Sequence, residues 1–470
     1  MPQQDRRTKV VATIGPASND EEMLRTLVDA GMDGVRLNFS HGTHADHELS
    51  ARRARAIQAE AGRPLALIAD LQGPKIRIGD IDRPAELEVG DTVVVAGQDE
   101  CGVDDLPVAP AVLGSVLEAG DEILIDDGHV RLRVERIDGG RAVCEVVTGG
   151  AVEPHKGVNV PGVPLPVPSL TEKDLSDLDF ALSLGVDYVA QSFVRTHTDV
   201  AALKSRIEAA GSQAWVIAKI ELKEAVLQLE PILDIADAVM IARGDLGVEI
   251  GAAEVPLLQK KIIVEALERG KPAITATQML ETMIHRPEPT RAEASDVANA
   301  ILDGSSALML SAETAVGEYP VEAVATMARI ARAVEPSLGY RHQLPSALDD
   351  PTVGRAMSNA ACDLAEALGA KAILVPTFTG RTASVVARLR PRRPVVGLSH
   401  QDYALQHMAL EWGVTPVRMS EAADVEELWS NSLASGRQTG LLEEGDLVVL
   451  TAGTAVNIPG TTDMIKLAYA

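Results

Sequence analysis

Short apolar runs alternate with longer amphipathic stretches over the first 335 residues, the pattern of strands wrapped by helices. The runs are Val10–Ile14, Gly34–Leu37, Ala66–Asp70, Val186–Gln191, Trp215–Lys219, Ala238–Ala242, Ala273–Ala276 and Ala307–Leu310. Helix-length segments separate nearly all of them: Glu21–Ala30, His44–Ala61, Glu172–Leu184, Asp199–Ala210, Leu222–Leu229, Val255–Arg269, Thr290–Leu302 and Val321–Ala333. Eight strand-helix units predict a (β/α)8 barrel, a TIM barrel, over 1–72 and 169–338.

Between the third strand and its helix the texture changes. Leu87–Val95, Glu122–Ile125, Val130–Val134 and Ala142–Val147 are β-branched or alternating, and Asp127-Gly128 and Asp138-Gly139-Gly140 read as turns between them. Residues 73–168 are therefore expected to form an inserted all-β cap domain. Its Pro-rich exit, Pro161–Pro168, reads as a stiff connector, and a cap on a βα loop suggests a lid over the barrel mouth. After a polar stretch at Gly339–Pro351, the runs Ala372–Val375, Pro394–Leu398, Val414–Val417 and Leu447–Leu450 predict a C-terminal α/β domain over 352–470.

Composition narrows the function. The 470 residues are 46% hydrophobic but only 3% aromatic, so the core is built from Ala, Val, Leu and Ile. With 43 Lys and Arg against 68 Asp and Glu, the net charge is −25. That field disfavours nucleic acid and anionic membranes as partners, and an anionic substrate needs a local cationic pocket. Cys101, Cys144 and Cys362 stand far apart, without a CxxC pair, which excludes a disulfide scaffold or zinc finger and fits a reducing, cytoplasmic setting. No apolar run approaches the ~18–20 residues of a membrane span, and the start of the chain lacks a signal-peptide core.

Catalysis in such a barrel belongs at the strand C-termini. Polar residues gather there: Arg36, Asn38, Ser40 and His41 after strand two; Asp70, Lys75 and Arg77 after strand three; Lys219 and Glu221 at strand five; Arg243-Gly244-Asp245 at strand six; Thr277 at strand seven; Ser311 to Thr314 at strand eight. Together they offer two carboxylates for a hard divalent ion, ringed by cations and hydroxyls. Simpler readings stand beside this one. Glu221 suits a helix start on the surface, and Lys219, on the same side of an extended strand, suits a plain ion pair. Gly244 reads as the residue that lets Asp245 turn inward. His41, His44 and His47 drift around a helix and lack an HExxH partner, against zinc. There is no Walker loop, since Gly270-Lys271 is followed by Pro272.

Six segments carry a resemblance to a known family: Thr8–Ser18, Arg36–Gly42, Lys219–Glu221, Ala242–Glu249, Ala276–Glu281 and Ser311–Thr314. Over essentially its full length the chain resembles pyruvate kinase, the potassium-independent type. The resemblance implies phosphoryl transfer from phosphoenolpyruvate to ADP, giving pyruvate and ATP. It implies that Glu221 and Asp245 hold Mg2+ or Mn2+, that Lys219 meets the transferring group and the enolate oxygen, and that Arg36 and Arg77 neutralise phosphate charge. Thr277 would stand near the enolate carbon, backbone around Ala242–Asp245, including Gly244, would hold the carboxylate, and Asn38, Ser40, His41 and Arg77 would line the nucleotide side.

Two departures matter. Leu71, Gln72 and Lys75 replace the Thr, Lys and Glu of potassium-requiring relatives. The Lys75 ammonium would then substitute for K+ beside Asn38, Ser40, Asp70 and Leu71, the alternative being a solvent-facing Lys75 at the hinge. Thr196 stands where some relatives have a nucleotide-side lysine. In the C-terminal domain, Thr377, Thr379, Gly380, Arg381 and Thr382 open a helix that suits a phosphorylated allosteric effector, with Gly460-Thr461-Thr462 on a second loop. Thr439, Glu443 and Glu444 argue against assuming fructose 1,6-bisphosphate, and subunit contact is an equal reading. The resemblance alone implies a homotetramer. A metal-assisted aldolase or lyase on the same barrel, and a silent metabolite sensor, are the rival functions.

Overall fold

In the computed structural model the eight runs close into a parallel barrel in chain order: Lys9–Thr13, Gly34–Asn38, Ala66–Asp70, Tyr188–Gln191, Trp215–Ile220, Ala238–Ala242, Ala273–Ala276 and Ala307–Leu310, the last pairing with the first. The structure describes residues 6–81, 83–102, 105–339, 352–456, 458 and 460–470; most of the polar stretch read as the second boundary, from 340 to 351, lies outside them. Side chains alternate along each strand, so two cores form. Val11, Ile68, Tyr188, Ile217, Met240, Ile274 and Met309 fill the barrel interior, and Ala409 and Leu410 of the C-terminal part plug its base. Their neighbours in sequence, such as Val10, Leu67, Val216 and Leu308, pack outward against the helices.

The base is pinned by aspartates that precede strands. Asp33, Asp187 and Asp237 accept from the backbone N–H of Val10, Leu67 and Val216 at 2.8, 2.6 and 3.1 Å. Each is also met by cations from outside the barrel: Arg6 and Arg63, Arg55, and Lys204 with Arg381. The helices start where short polar side chains satisfy free N–H groups. Thr43, Thr171, Thr196 and Thr290 each form a reciprocal capping box with an acid three residues on.

The inserted segment forms a second closed barrel of seven strands. Four of its stretches were not evident in the sequence, Ile76–Ile78, Leu106–Ala109, Gly150–Val152 and Gly157–Asn159, because three- or four-residue strands carry too little alternation. The expected strand Leu87–Val95 is instead two, Ala85–Leu87 and Thr92–Gly97. The chain turns between them at Gly90, whose φ of +92° suits glycine. The expected helix Leu222–Leu229 is also two, Lys223–Leu227 and Leu229–Ile235. Pro231 lacks an N–H and its ring would strike the Leu227 carbonyl of a continuous helix.

The C-terminal sheet has five strands, four parallel and a last antiparallel one, Thr462–Tyr469. Thr462 thus opens a strand rather than lying on a loop. Among the described residues no helix is long and apolar enough to cross a membrane.

Candidate active site

Lys219 and Glu221 are two residues apart at the end of the fifth barrel strand, so both face the mouth. Lys219 Nζ lies 2.8 Å from Glu221 Oε1, 3.2 Å from Asp70 Oδ1 and 2.6 Å from Ser192 Oγ. Asp70 closes the third strand, and its other oxygen accepts from Arg36 Nε at 2.7 Å. Arg36 also donates to Thr13 Oγ1 at 3.0 Å. Five strand ends thus contribute to one buried network in which Asp70 and Glu221 are each 1% exposed.

The electrostatics follow from that burial. Desolvation alone would lower the Lys219 pKa, but Asp70 and Glu221 outweigh it and hold the ammonium above its ordinary range. Desolvation would raise Asp70, yet Lys219 and Arg36 keep it below the usual carboxylate value. Glu221 goes the other way: burial and the nearby charge of Asp245 push it up despite Lys219. Two carboxylates close enough to repel form a site that a cation would relieve.

Asp245 sits in the first turn of a helix, Arg243–Ile250, that was not foreseen in this glycine-containing stretch. Gly244 is helical and has no positive φ, so it does not act as the expected swivel. What it contributes is backbone: its N–H donates to Thr277 Oγ1 at 2.9 Å, and a Cβ there would stand 3.6 Å from the same oxygen, an ordinary contact. Thr277 and Gln278 both occupy the left-handed region, at φ +68° and +52°, a strain that marks functional sites. Arg243 stabilises the turn by donating to the Thr277 carbonyl at 2.8 Å, and Asp296 anchors it at 2.7 Å. Asp296, Ser192 and Thr13 escaped sequence reasoning, as did the anchoring role of Arg243, because partners from distant strands define their roles. Glu313, at the eighth strand end, is structural: its carboxylate accepts from the N–H groups of Leu280 and Ser311.

Lys75 reaches from the connector into the cap, its Nζ 3.4 Å from Asp245 Oδ1. It therefore faces the site and not solvent. Leu71, by contrast, is 1% exposed in the core between barrel and helices. Arg77 lies on the cap strand Ile76–Ile78 and donates to the His155 carbonyl at 3.0 Å. Burial first, then the charges of Arg77, Arg36 and Lys75, lower the His41 pKa, so these cations converge on it. Asn38 Oδ1 accepts from Ser40 N at 3.2 Å and shapes the turn leading to His41. A cavity of about 590 Å3 opens beside Gln72, Lys75, Arg77 and His155. His44 pairs with Asp177, and His47 with the His41 carbonyl. Thr196 is occupied as a helix cap.

A second cavity, about 440 Å3, lies in the C-terminal part and is lined by Thr377, Thr379, Arg381, Thr382, Gly460 and Thr461 among others. Gly380 stands behind it as the helix cap, its N–H on Thr377 Oγ1. Arg381 lines this cavity and also bonds outside it. Its guanidinium reaches Asp237 at the barrel base at 2.7 Å and lies over the Trp215 ring at 5.1 Å.

The carboxylate pair fits a divalent ion of the magnesium kind, which takes one or two protein carboxylates and completes its shell with substrate and water. No group of three or more His, Cys, Asp or Glu able to hold a metal occurs among the described residues, so a self-sufficient protein cage is not what these residues build.

Residues 5–324 match the family described as pyruvate kinase, barrel domain, and residues 355–468 the family described as pyruvate kinase, alpha/beta domain. Pyruvate kinase 2 of Synechocystis sp. is 45% identical over 98% of this chain and 79% of its own length. The pyruvate kinases of Clostridium acetobutylicum and Corynebacterium glutamicum are 41% and 43% identical over 98% of this chain, covering 99% and 97% of theirs. The chain belongs to the pyruvate kinase family, phosphotransferases that convert phosphoenolpyruvate and ADP to pyruvate and ATP.

Proposed function

We propose that this chain carries out that reaction at the barrel mouth with Lys219, Arg36 and Thr277 as its reacting-side groups. The observation that carries the assignment is the buried Lys219 ammonium, aimed by Asp70, Glu221 and Ser192. Family members generally use a divalent metal. Here Glu221 and Asp245 would hold Mg2+ or Mn2+, which when bound would supply positive charge to offset the anionic substrate.

The chain's own groups do the rest. Arg36 and Lys219 counter the phosphate charge that the net −25 of the protein opposes. As the phosphoryl group leaves for the β-phosphate of ADP, its bond to the enol oxygen breaks and Lys219 stabilises the oxyanion left behind. The enolate carbon then takes one proton. Thr277 Oγ1 accepts from Gly244 N, which leaves its own O–H to donate to the delivering water. Gly244 and Asp245 present the backbone for the substrate carboxylate. Arg77, which lines the 590 Å3 cavity, would face the nucleotide together with His41, Asn38 and Ser40. Lys75 would take the place of K+, beside Asn38, Ser40 and Asp70.

The C-terminal cavity, with Thr377, Thr379, Gly380 and Thr382, is read as the seat of a phosphorylated effector. The exposed apolar side chains Val353, Leu368, Leu467 and Tyr469 are read as subunit contact in a homotetramer, and the cytoplasm as the setting. A coupled assay with phosphoenolpyruvate, ADP and Mg2+, run with and without K+, tests the reading. Turnover in both conditions is expected. Carbon–carbon cleavage without phosphoryl transfer would favour a lyase, and no turnover a sensor.

A further inference from the structure

Ser192-Phe193-Val194-Arg195 follows the fourth barrel strand and joins four groups that are far apart in sequence. Ser192 Oγ receives the hydrogen bond of Lys219 at 2.6 Å and donates to the Leu71 carbonyl at 2.7 Å. The N–H of Phe193, a residue at φ +54°, donates to Glu221 Oε2 at 2.7 Å. Arg195 forks onto the return connector, Nη1 to the Leu165 carbonyl at 2.9 Å and Nη2 to the Val167 carbonyl at 2.8 Å. Leu71 begins the outgoing connector. Gly73 of the same connector packs so closely that an added Cβ would stand 2.8 Å from the Phe193 ring and 3.1 Å from Ser192 Cβ.

The return connector needs this clamp. Pro161, Pro164, Pro166 and Pro168 lack N–H groups, so it cannot pair as a strand ladder. In extended chain the carbonyls of residues two apart project to one side, and a planar guanidinium matches two such acceptors where an ammonium would serve as a point donor. Four consecutive residues therefore grip both connectors of the cap at one end and both buried groups of the site at the other.

We propose that Ser192–Arg195 couples the position of the cap to the geometry of Lys219 and Glu221, with Arg195 as a positioning residue for phosphoryl transfer. A shift of the return connector pulls on Arg195, and through it on the hydroxyl and N–H that aim the two site groups. This rests on the assignment of Lys219 and Glu221 above.

The test compares Arg195→Met, Arg195→Lys and Ser192→Ala by steady-state kinetics and by hydrogen exchange of the whole chain. Arg195→Met is expected to lower kcat about ten- to a hundredfold, the scale of an ångström-level misplacement, with KM for phosphoenolpyruvate changed less than about threefold. Exchange should quicken in residues 161–168 and 71–75 while the barrel strands stay protected. In a Ser192→Ala background the same substitution should cost less, since the two act through one chain of contacts. Arg195→Lys keeps charge and stem, so it remains testable should the Met variant misfold, and it should recover only part of kcat. Unchanged kcat, strictly additive effects or full rescue by Lys would each overturn the proposal. Lys219→Met run alongside separates the failures: a silent Arg195→Met beside an inactive Lys219→Met removes the coupling alone, whereas near-normal turnover of Lys219→Met removes the site assignment beneath it.

Discussion

Lys219 Nζ and Glu221 Oε1 stand 2.8 Å apart, on side chains that leave the same strand end on the same side. The lysine compensates two buried carboxylates, and in the proposed reaction it would also present a cation to the substrate. Lys219→Met should therefore show two separable losses. Turnover should fall by about 10³-fold, as when a donor to a developing oxyanion is removed. The fold should persist but be weaker by about 3 kcal/mol, since Asp70 and Glu221 stay buried without their partner. A coupled assay and urea unfolding measure the two independently. Full activity in the folded variant would contradict the assignment.

The position of Lys75, 3.4 Å from Asp245, makes a prediction about salts. Turnover of the unmodified chain should be the same within about twofold in potassium-free and potassium-containing buffer of equal ionic strength. Lys75→Met should lose about tenfold or more without K+, the equivalent of ~1.4 kcal/mol of charge stabilisation. Strict K+ dependence of the unmodified protein would show that the ammonium does not fill that role.

Much of this was legible in the sequence, for identifiable reasons. Barrel strands buried on both faces read as continuous apolar runs, which is why Ala66–Asp70 and Ala238–Ala242 stand as expected to the residue. Lys219 and Glu221 were legible because alternation fixes their common side. What sequence could not give was convergence across distant strands. Ser192 meets Lys219, and Arg243 meets Asp296, through contacts spanning 27 and 53 residues. The same holds for Arg381, whose placement on a phosphate-like loop concealed its partner, Asp237, 144 residues earlier. The cap's short strands were lost because three residues of pleat carry almost no periodic signal.

A pH effect follows from Glu411, which is 3% exposed at the joint between barrel base and C-terminal sheet and accepts from Ser384 Oγ at 2.5 Å. Burial raises its pKa to about 7 against the pull of Ser384, Arg390 and Lys9. An unfolded glutamate titrates near ~4.3, so between those values the folded chain binds the proton and the unfolded chain does not. Lowering the pH through 7 toward ~4.5 thus adds stability at this site, up to about 3–4 kcal/mol, and raising it removes that contribution. Buried Asp187, pushed to about 6, acts in the same direction, while His407, lowered to about 4, opposes both. Comparison with Glu411→Gln isolates the one group. Urea midpoints should favour the variant at pH 8 and converge by pH 5; parallel curves at all pH values would show that Glu411 does not titrate there.

Arg381 links the C-terminal cavity to the barrel base, and its two possible partners compete. Its pair with Asp237 is half open to water, with the guanidinium 55% exposed, so screening leaves it worth no more than about 1 kcal/mol. Asp237 loses little when Arg381 departs, because it keeps Lys204 at 2.9 Å and the Val216 N–H at 3.1 Å. A doubly charged phosphate among Thr377, Thr379 and Thr382 offers the guanidinium a stronger, bidentate partner. Binding of a phosphorylated metabolite should therefore draw Arg381 off the Trp215 ring, which it now covers at 5.1 Å. With Trp412 and Trp429 replaced by Phe, emission from Trp215 alone should change saturably on titration with sugar phosphates. Arg381→Gln should abolish that response and weaken binding by about tenfold, the loss of one charge-assisted contact. Calorimetric binding with unaltered Trp215 emission would mean that Arg381 stays on Asp237, and the loop would then hold its anion without signalling to the barrel.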